Sequence, residues 1–370
     1  MKNTIGNALT VTLFGESHGE AIGAVVDGIA PGIPVDLTYI ERQLARRRPK
    51  ATLDTARCEP DPYRIVSGVF NGKTTGTPLC IIISNTDTRS TDYTYGVARP
   101  SHADYTASIK YHGFEDYRGG GHFSGRITAV LVAVGGILIP ALQTLGIYIG
   151  THILHCAGIS DQAFSNTPVK EIQALDGCDF PVLNHESQNA MIDKIRQIKA
   201  EGDSIGGITE TAIEGMPAGV GEPWFDSVES LLSHALFSIG GIKGVEFGLG
   251  FDFDGKRGSE CNDSFVFQNQ SVRTLTNYNG GINGGITNGM PILFRCAIKP
   301  TPSIAKEQHT IDFVKGTSEA LTIHGRHDPA IIRRICPVID SICAITLCDL
   351  IVQRYGTDGL LKGAASWNMD

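Results

Sequence analysis

Three histidines and an aspartate stand at loop or element ends, where side chains can meet a ligand. His18 lies in Phe14-Gly-Glu-Ser-His18-Gly19, His102 in Arg99-Pro-Ser-His102-Ala-Asp104, and Asp328 in Arg326-His327-Asp328-Pro329. Imidazole can donate a proton near neutral pH, and a carboxylate can accept one when its neighbours tune it. Taken singly, each suits a structural hydrogen bond better, and spacing does not show that they converge. Basic residues cluster as well. Arg42, Arg46, Arg47 and Arg48 fall at or near the C-terminal end of one helical stretch, and Arg57 follows across a short loop. Such a cluster complements a helix dipole. Three adjacent arginines nevertheless point in different directions and can clamp a multiply anionic ligand bidentately. The chain carries 31 Lys+Arg against 39 Asp+Glu, a net charge of −8. A general nucleic-acid binder is therefore excluded, and any anion site must be local.

Glycine accounts for 44 of the 370 residues, without a triplet period and with 17 prolines, which excludes a collagen-like chain. A composition 41% hydrophobic and 19% charged excludes disorder. Three glycine-rich segments stand out. The first holds His18. The second, Arg118-Gly-Gly-Gly-His122-Phe123-Ser124-Gly125-Arg126, opens a helix and offers amides and arginines to an anion. The third runs from Gly280 to Gly289, ahead of a strand ending Lys299-Pro300-Thr301-Pro302-Ser303, and suits the approach of a flat or bulky ligand. Gly68-Val-Phe-Asn-Gly72-Lys73-Thr74 is one residue short of a Walker loop and falls on a hairpin. No Gly-x-Gly-x-x-Gly follows a strand and opens a helix, so a Rossmann site has no support. His152 and His155, on an alternating strand without a third ligand nearby, read as structural.

The elements that position these groups follow from periodicity. Residues 8–45 read as a strand, an Asp-Gly turn at 27–34 and a helix opened by Asp36. Residues 207–238 repeat this as a strand, a Glu-Gly turn at 214–221 and a helix opening at Asp226, which points to two related halves. Asn71-Gly72 predicts a type I′ hairpin. Ser101 is expected to cap a helix running through Tyr111, a polar loop at 160–186 to precede the helix around Met191, and a long apolar helix to span 338–355. Residues 127–150 carry no charge and are long enough for a bilayer. Gly135, Gly136, Pro140 and the polar Gln143 and Thr144 favour a buried helix running into a strand, so no membrane partner is expected. Strands and helices alternate, giving an α/β or α+β layered architecture. Nine cysteines without a C-x-x-C pair, and an N-terminal stretch without a signal-peptide core, predict reduced thiols and a cytoplasmic location.

Ten segments, in order, resemble the chorismate synthase family: FGESHG (14–19), DGIAPGIP (27–34), RRRP (46–49), RPSHADYT (99–106), YRGGG (117–121), EGDSIG (201–206), PAGVGEP (217–223), GGINGGITNG (280–289), KPTPS (299–303) and GRHDP (325–329). The resemblance implies an α+β fold, a single domain with a layered β-α-β sandwich core built from two related halves, about 1–200 and 201–370, assembled as a homotetramer. It implies a lyase of the shikimate pathway of aromatic amino-acid biosynthesis. The reaction is an anti-1,4-elimination of phosphate from 5-enolpyruvylshikimate-3-phosphate to give chorismate. Reduced FMN is required, and NADPH enters only if the enzyme reduces its own flavin. The resemblance assigns catalysis to His18, His102 and Asp328: His18 acts with Arg48 at the departing phosphate, His102 stands against the flavin N1/C2 edge, and Asp328 is a base relayed through flavin N5. Arg42, Arg47, Arg48, Arg57 and Arg126 would hold the substrate's two carboxylates and phosphate. His122, Phe123, Ser124, Gly240, Gly241, Gly284, Lys299, Pro300, Thr301, Pro302, Ser303 and Arg326 would hold the cofactor.

The chain departs from the family pattern at three places. His122-Phe-Ser-Gly-Arg-Ile127 stands where many members have Arg-Ser-Ser-Ala-Arg-Glu. Leu53 and Asp54 occupy a region where many carry an arginine, a contact left to Arg57. Ser101 replaces the usual glycine before His102, and a mild effect is expected. A flavin oxidoreductase transferring hydride would use the same pocket but has no dinucleotide fingerprint here. A non-catalytic anion-binding scaffold would not need His18, His102 and Asp328 together.

Overall fold

The computed structural model describes residues 2–50, 53–54, 60–86, 93–268, 270–323 and 328–361. Its first sheet contains β1 (Thr4–Ile5), β2 (Thr10–Gly15), β3 (Ala21–Asp27) and β4 (Tyr63–Ser67). A small hairpin of β5 (Val69–Phe70) and β6 (Lys73–Thr74) then leads to β7 (Leu79–Ser84), and the antiparallel order is β1-β2-β3-β7-β4. The second sheet contains β8 (Tyr148–Cys156), β9 (Ile159–Ser160), β10 (Gly207–Glu214) and β11 (Ile242–Phe247). Two hairpins follow, β12 (Phe265–Gln268) with β13 (Ser271–Thr274) and β14 (Ile282–Asn283) with β15 (Ile286–Thr287). β16 (Ile292–Ile298) then completes the antiparallel order β11-β16-β10-β8-β9. A last hairpin joins β17 (Gln308–Asp312) and β18 (Thr317–Leu321).

The described residues also form eight helices. These are α1 (Leu37–Arg47), α2 (Asp104–Tyr111), α3 (Thr128–Thr144), α4 (Val169–Leu175), α5 (His185–Ala200), α6 (Val228–Phe237), the single turn α7 (Gly258–Cys261) and α8 (Ile332–Tyr355). α3 packs on β3 and β7 of one sheet and β8 of the other, and α8 lies along α3 against β8 and β10. That is an α+β sandwich. A helix enclosed on every side has no solvent face, so α3 is apolar all round instead of amphipathic, and α8 is apolar apart from bonded charges such as Asp340, which meets Arg46 at 3.2 Å. Both are long and apolar enough to cross a membrane, and both are enclosed by the sandwich. Gly135 lets them approach closely, since a Cβ there would come within 2.8 Å of Ser341 Cα.

Sheet order repeats between the two parts of the chain: β8, β10, β16 and β11 follow one another as β2, β3, β7 and β4 do. A specific hydrogen-bond pattern repeats with it. Thr74 Oγ1 donates to Ala30 O at 2.6 Å and accepts from Ile33 N–H at 2.9 Å; Thr287 Oγ1 donates to Pro217 O at 2.6 Å and accepts from Val220 N–H at 2.9 Å.

Several local expectations change. Asp36 caps α1 by accepting from Thr38 and Tyr39 N–H. For α6 the cap is Ser227, not Asp226, which lies in the preceding tight turn. Ser101 caps nothing: α2 begins at Asp104 behind Ala103, and Ser101 itself sits at φ +60°, the left-handed region. The 160–186 stretch contains α4, and α5 opens earlier, at His185 behind the Asn184 cap. α8 also opens earlier, at Ile332, because the pair Arg333–Arg334 belongs to its first turn.

Candidate active site

Two adjoining cavities lie where the entry to α3, the exit of α6 and the entry to α8 meet. The larger, about 740 Å³, is lined by His102, His122, Lys243, Asp328 and the run Lys299 to Ser303, among others. The smaller, about 250 Å³, is lined by Arg47, Asp61, Arg126 and Arg334, among others. Ser124, Gly240 and Asp328 belong to both walls. These volumes fall in or near the range of small-molecule sites, with polar groups converging on a partly apolar lining.

Two arginines of the smaller cavity, with Arg48 behind its wall, converge on a carboxylate. Arg47 and Arg48, at the end of α1, approach Asp61 at 3.7 and 3.4 Å, and Arg126 makes a direct ion pair with it. Asp61 is almost fully buried, so its charge is compensated by three guanidinium groups, leaving local positive charge. Arg47 also donates to Gly125 O at 2.8 Å and Thr128 Oγ1 at 2.9 Å, which fixes it against the start of α3. Arg334 donates to Arg47 O at 2.8 Å and pairs with Asp328. Arg333 donates to the carbonyls of Arg46 and Arg48 and pairs with Asp54. The carbonyls that end α1 are thus satisfied by the two arginines that begin α8.

The triple glycine serves the histidines. Gly119, Gly120 and Gly121 all have positive φ (+62°, +82° and +53°). A Cβ on Gly119 would overlap the His18 ring, and one on Gly120 would lie 3.0 Å from His102 Cε1. Only glycine gives both the backbone conformation and the clearance. His18 meets Tyr93 edge-on with ring centres 5.4 Å apart, and it lies outside the walls of both cavities. His102 places Nδ1 2.8 Å from Asp104 Oδ1. Burial would raise the Asp104 pKa, but hydrogen bonds from Arg99 and His102 overcome it and hold the carboxyl well below the usual range. His122 donates from Nδ1 to Gly15 O at 2.7 Å.

In the larger cavity, Lys299 donates to Ser101 O at 2.7 Å. Its pKa is lowered, first by burial and then by the neighbouring Lys243 charge. Thr301 Oγ1 is buried there without a hydrogen-bond partner among the described residues. A Cβ on Gly240 would point into open space at the wall common to both cavities. Two lysines, an unused hydroxyl and an open backbone edge fit a flat ligand with an anionic end.

The remaining expected positions divide. Phe123, Gly241, Pro300, Pro302 and Ser303 line the larger cavity. Arg42 is drawn outward into an ion pair with Asp176 at 2.8 Å and reaches neither cavity. Gly284 is at the tip of the β14–β15 hairpin, also away from both. Arg57, Arg326 and His327 lie outside the described residues. Sequence reading overlooked Asp61, Lys243 and Arg334. For Arg334 a signal existed, a basic pair opening an apolar helix; for Asp61 there was none.

Fold and site together define an α+β sandwich protein with two adjoining small-molecule cavities, one lined by arginines and one by lysines. Comparison with known proteins narrows the class. The chorismate synthase family model matches residues 9–352. Over 351 residues the chain is 42% identical to a chorismate synthase from Pyrococcus abyssi, covering 94% of this chain and 97% of the relative. It is 40% identical over 356 residues to one from Dehalococcoides mccartyi, covering 95% and 97%. A crystal structure of chorismate synthase superposes with a TM-score of 0.78 at 27% identity, covering 98% of each chain. The chain belongs to the chorismate synthase family.

Proposed function

We propose that this chain is a lyase converting 5-enolpyruvylshikimate-3-phosphate to chorismate by 1,4-elimination of phosphate, with reduced FMN as cofactor. The observation that carries the reading is the shared wall: Asp328, Ser124 and Gly240 face both an arginine-lined cavity and a lysine-lined one. A substrate with three anionic groups fits the first, where Arg47, Arg48 and Arg126 already gather around Asp61. A flavin mononucleotide fits the second, its phosphate toward Lys299, Lys243, Thr301 and Ser303. When bound, reduced flavin supplies electron density as the C–O bond breaks. The protein's own groups do the rest. The arginines neutralise the departing phosphate. Asp328, oriented by Arg334, stands between the two ligands as proton acceptor. His102 presents its ring to the larger cavity; the role of proton donor to the leaving group, which the family resemblance gives to His18, would need that ring to reach the smaller cavity from outside its wall.

The assembly is proposed as a homotetramer in the cytoplasm. The chain is proposed as one domain of two related halves. The seam then falls at the 145–147 turn between α3 and β8, earlier than residue 200, because α4 and α5 interrupt the second repeat between β9 and β10. The test is an anaerobic assay of phosphate and chorismate release with chemically reduced FMN. Turnover is expected, and His18→Ala or Asp328→Asn should lower kcat by about 10²–10⁴-fold. No turnover with reduced flavin present overturns the assignment. Replacing the chemical reductant by NADPH tells whether the enzyme reduces its own flavin.

A further inference from the structure

His102 is held by a carboxylate that is itself held. Asp104, the first residue of α2, receives Arg99 Nη2 on Oδ1 at 2.7 Å and Arg99 Nε on Oδ2 at 2.8 Å. It also accepts from the Arg99 backbone N–H on Oδ2 at 2.9 Å. His102 Nδ1 approaches the same Oδ1 at 2.8 Å and lies 3.0 Å from Arg99 Nη2. Only one assignment of the ring proton suits both distances. Were Nδ1 bare, its lone pair would face a carboxylate oxygen at the shorter contact, which is repulsive. With Nδ1 protonated, the ring and the guanidinium both donate to one oxygen, and the longer contact is merely two donors side by side. The opposite edge of the ring passes Gly120, and His102 lines the larger cavity.

We propose that Asp104, clamped by Arg99, is a positioning residue that engages the Nδ1 proton of His102 and so makes Nε2 the atom presented to the cofactor. This rests on the flavin reading of the larger cavity. Arg99 sets the position of that carboxylate: its guanidinium and backbone N–H hold both oxygens, so Oδ1 stays turned to Nδ1. The clamp therefore fixes both the tautomer and the orientation of the ring. The other charged or titratable groups facing His102 are Lys299, through Ser101 O, and, around the cavity, Lys2, His122, His234, Lys243 and Asp328. Among the described residues, Asp104 Oδ1 and Arg99 Nη2 are the groups that meet Nδ1, and together they decide which nitrogen carries the proton.

The experiment is a pH titration of the ¹⁵N-histidine-labelled, cofactor-free full chain by NMR, with His102 assigned by its loss in His102→Gln. Wild type is expected to show the Nδ1–H tautomer when neutral. Asp104→Asn, which can turn either its oxygen or its amide to Nδ1, should give a mixture of the two tautomers, and Arg99→Gln, which leaves the carboxylate unclamped, should weaken the Nδ1–H preference. Asp104→Glu should restore part of the wild-type behaviour. A purely structural role would leave the tautomer unchanged in every folded variant. An Nε2–H tautomer in wild type, or an unchanged tautomer in folded Asp104→Asn, overturns the proposal. If Asp104→Asn does not fold, the weakened preference in Arg99→Gln remains required, and its absence is decisive. Anaerobic titration of wild type with reduced FMN is run beside it. Failure to bind would remove the flavin reading while leaving the tautomer result standing.

Discussion

Backbone conformation limits which residues can surround the two site histidines, and the chain meets that limit on one side only. Gly119 and Gly120 have positive φ and carry the rings of His18 and His102 directly against their backbone. Ser101, next to His102, also has positive φ, at +60°, but it carries a side chain. A non-glycine residue in the left-handed region costs about 1–2 kcal/mol, partly offset by the smaller entropy a serine loses on folding relative to glycine. The substitution expected to be mild is therefore a site of strain. Ser101→Gly should stabilise the protein by up to about 1 kcal/mol. Activity should be retained, because Lys299 bonds the carbonyl of residue 101 and not its side chain. Equilibrium unfolding in urea measures it, and a loss of stability would show that the serine is not strained. The sequence named His18, His102 and Asp328 by type and setting. It could not reveal that Arg47, Arg48 and Arg126 share Asp61, because one acidic residue in a loop carries no sign of partners 13 to 65 positions away. Arg42 shows the converse: it has the right spacing, yet Asp176 draws it out of the site.

Elements with a strong period were legible, and those fixed by tertiary contacts were not. α1 with its Asp36 cap, the passage from α3 into β8, and the Asn71-Gly72 hairpin all follow from local pattern. α4 is too short and weakly patterned to compete with its loop, and Asp226 loses the α6 cap to Ser227 by one residue. The 160–187 segment is instead fastened by a buried histidine. His152 on β8 lies between Asp161 at 3.2 Å and Glu210 at 3.1 Å. Asp161 accepts from Leu183 and Asn184 N–H, and Glu210 from Phe164 N–H. Burial lowers the His152 pKa, but the two carboxylates outweigh it and the net shift is upward from 6.5. Burial raises the Asp161 pKa, yet hydrogen bonds from His152, Ser187 and Leu183 bring it down from 3.8 to about 2. The signs give a window. The histidine's contribution is complete below its unfolded pKa of 6.5 and is lost as pH rises through the higher folded value. The Asp161 contribution is complete above 3.8 and is lost as pH falls through about 2. Amide exchange at Phe164, Leu183 and Asn184, corrected for intrinsic rates, should therefore show protection falling on the alkaline side. His152→Gln should abolish that alkaline dependence. Equal pH dependence in both proteins would rule the histidine out as the fastener.

At the scale of the whole molecule, the sandwich encloses its apolar helices but leaves an apolar face uncovered on one hairpin. On the β12–β13 hairpin, Phe267 pairs across from Val272, and Phe265 lies two residues away on the same face. Their exposures are 77%, 57% and 66%. A two-stranded hairpin is marginal in water even without such a face, because it has no core of its own to rest on. Clustered apolar side chains of this kind usually mark contact with another protein. The proposed homotetramer supplies that contact in the form of a second copy of the chain. Wild type should then sediment as a single species well above the 39.6 kDa of one chain. Phe267→Ser with Val272→Ser removes the apolar pair without adding charge, and should shift the population toward smaller species as the protein is diluted. Because the hairpin lies outside both cavity walls, activity per folded chain tells whether assembly matters to catalysis. A variant that keeps the wild-type mass at every concentration would show that copies of the chain meet through another surface, and a wild type that is monomeric throughout would remove the tetramer altogether.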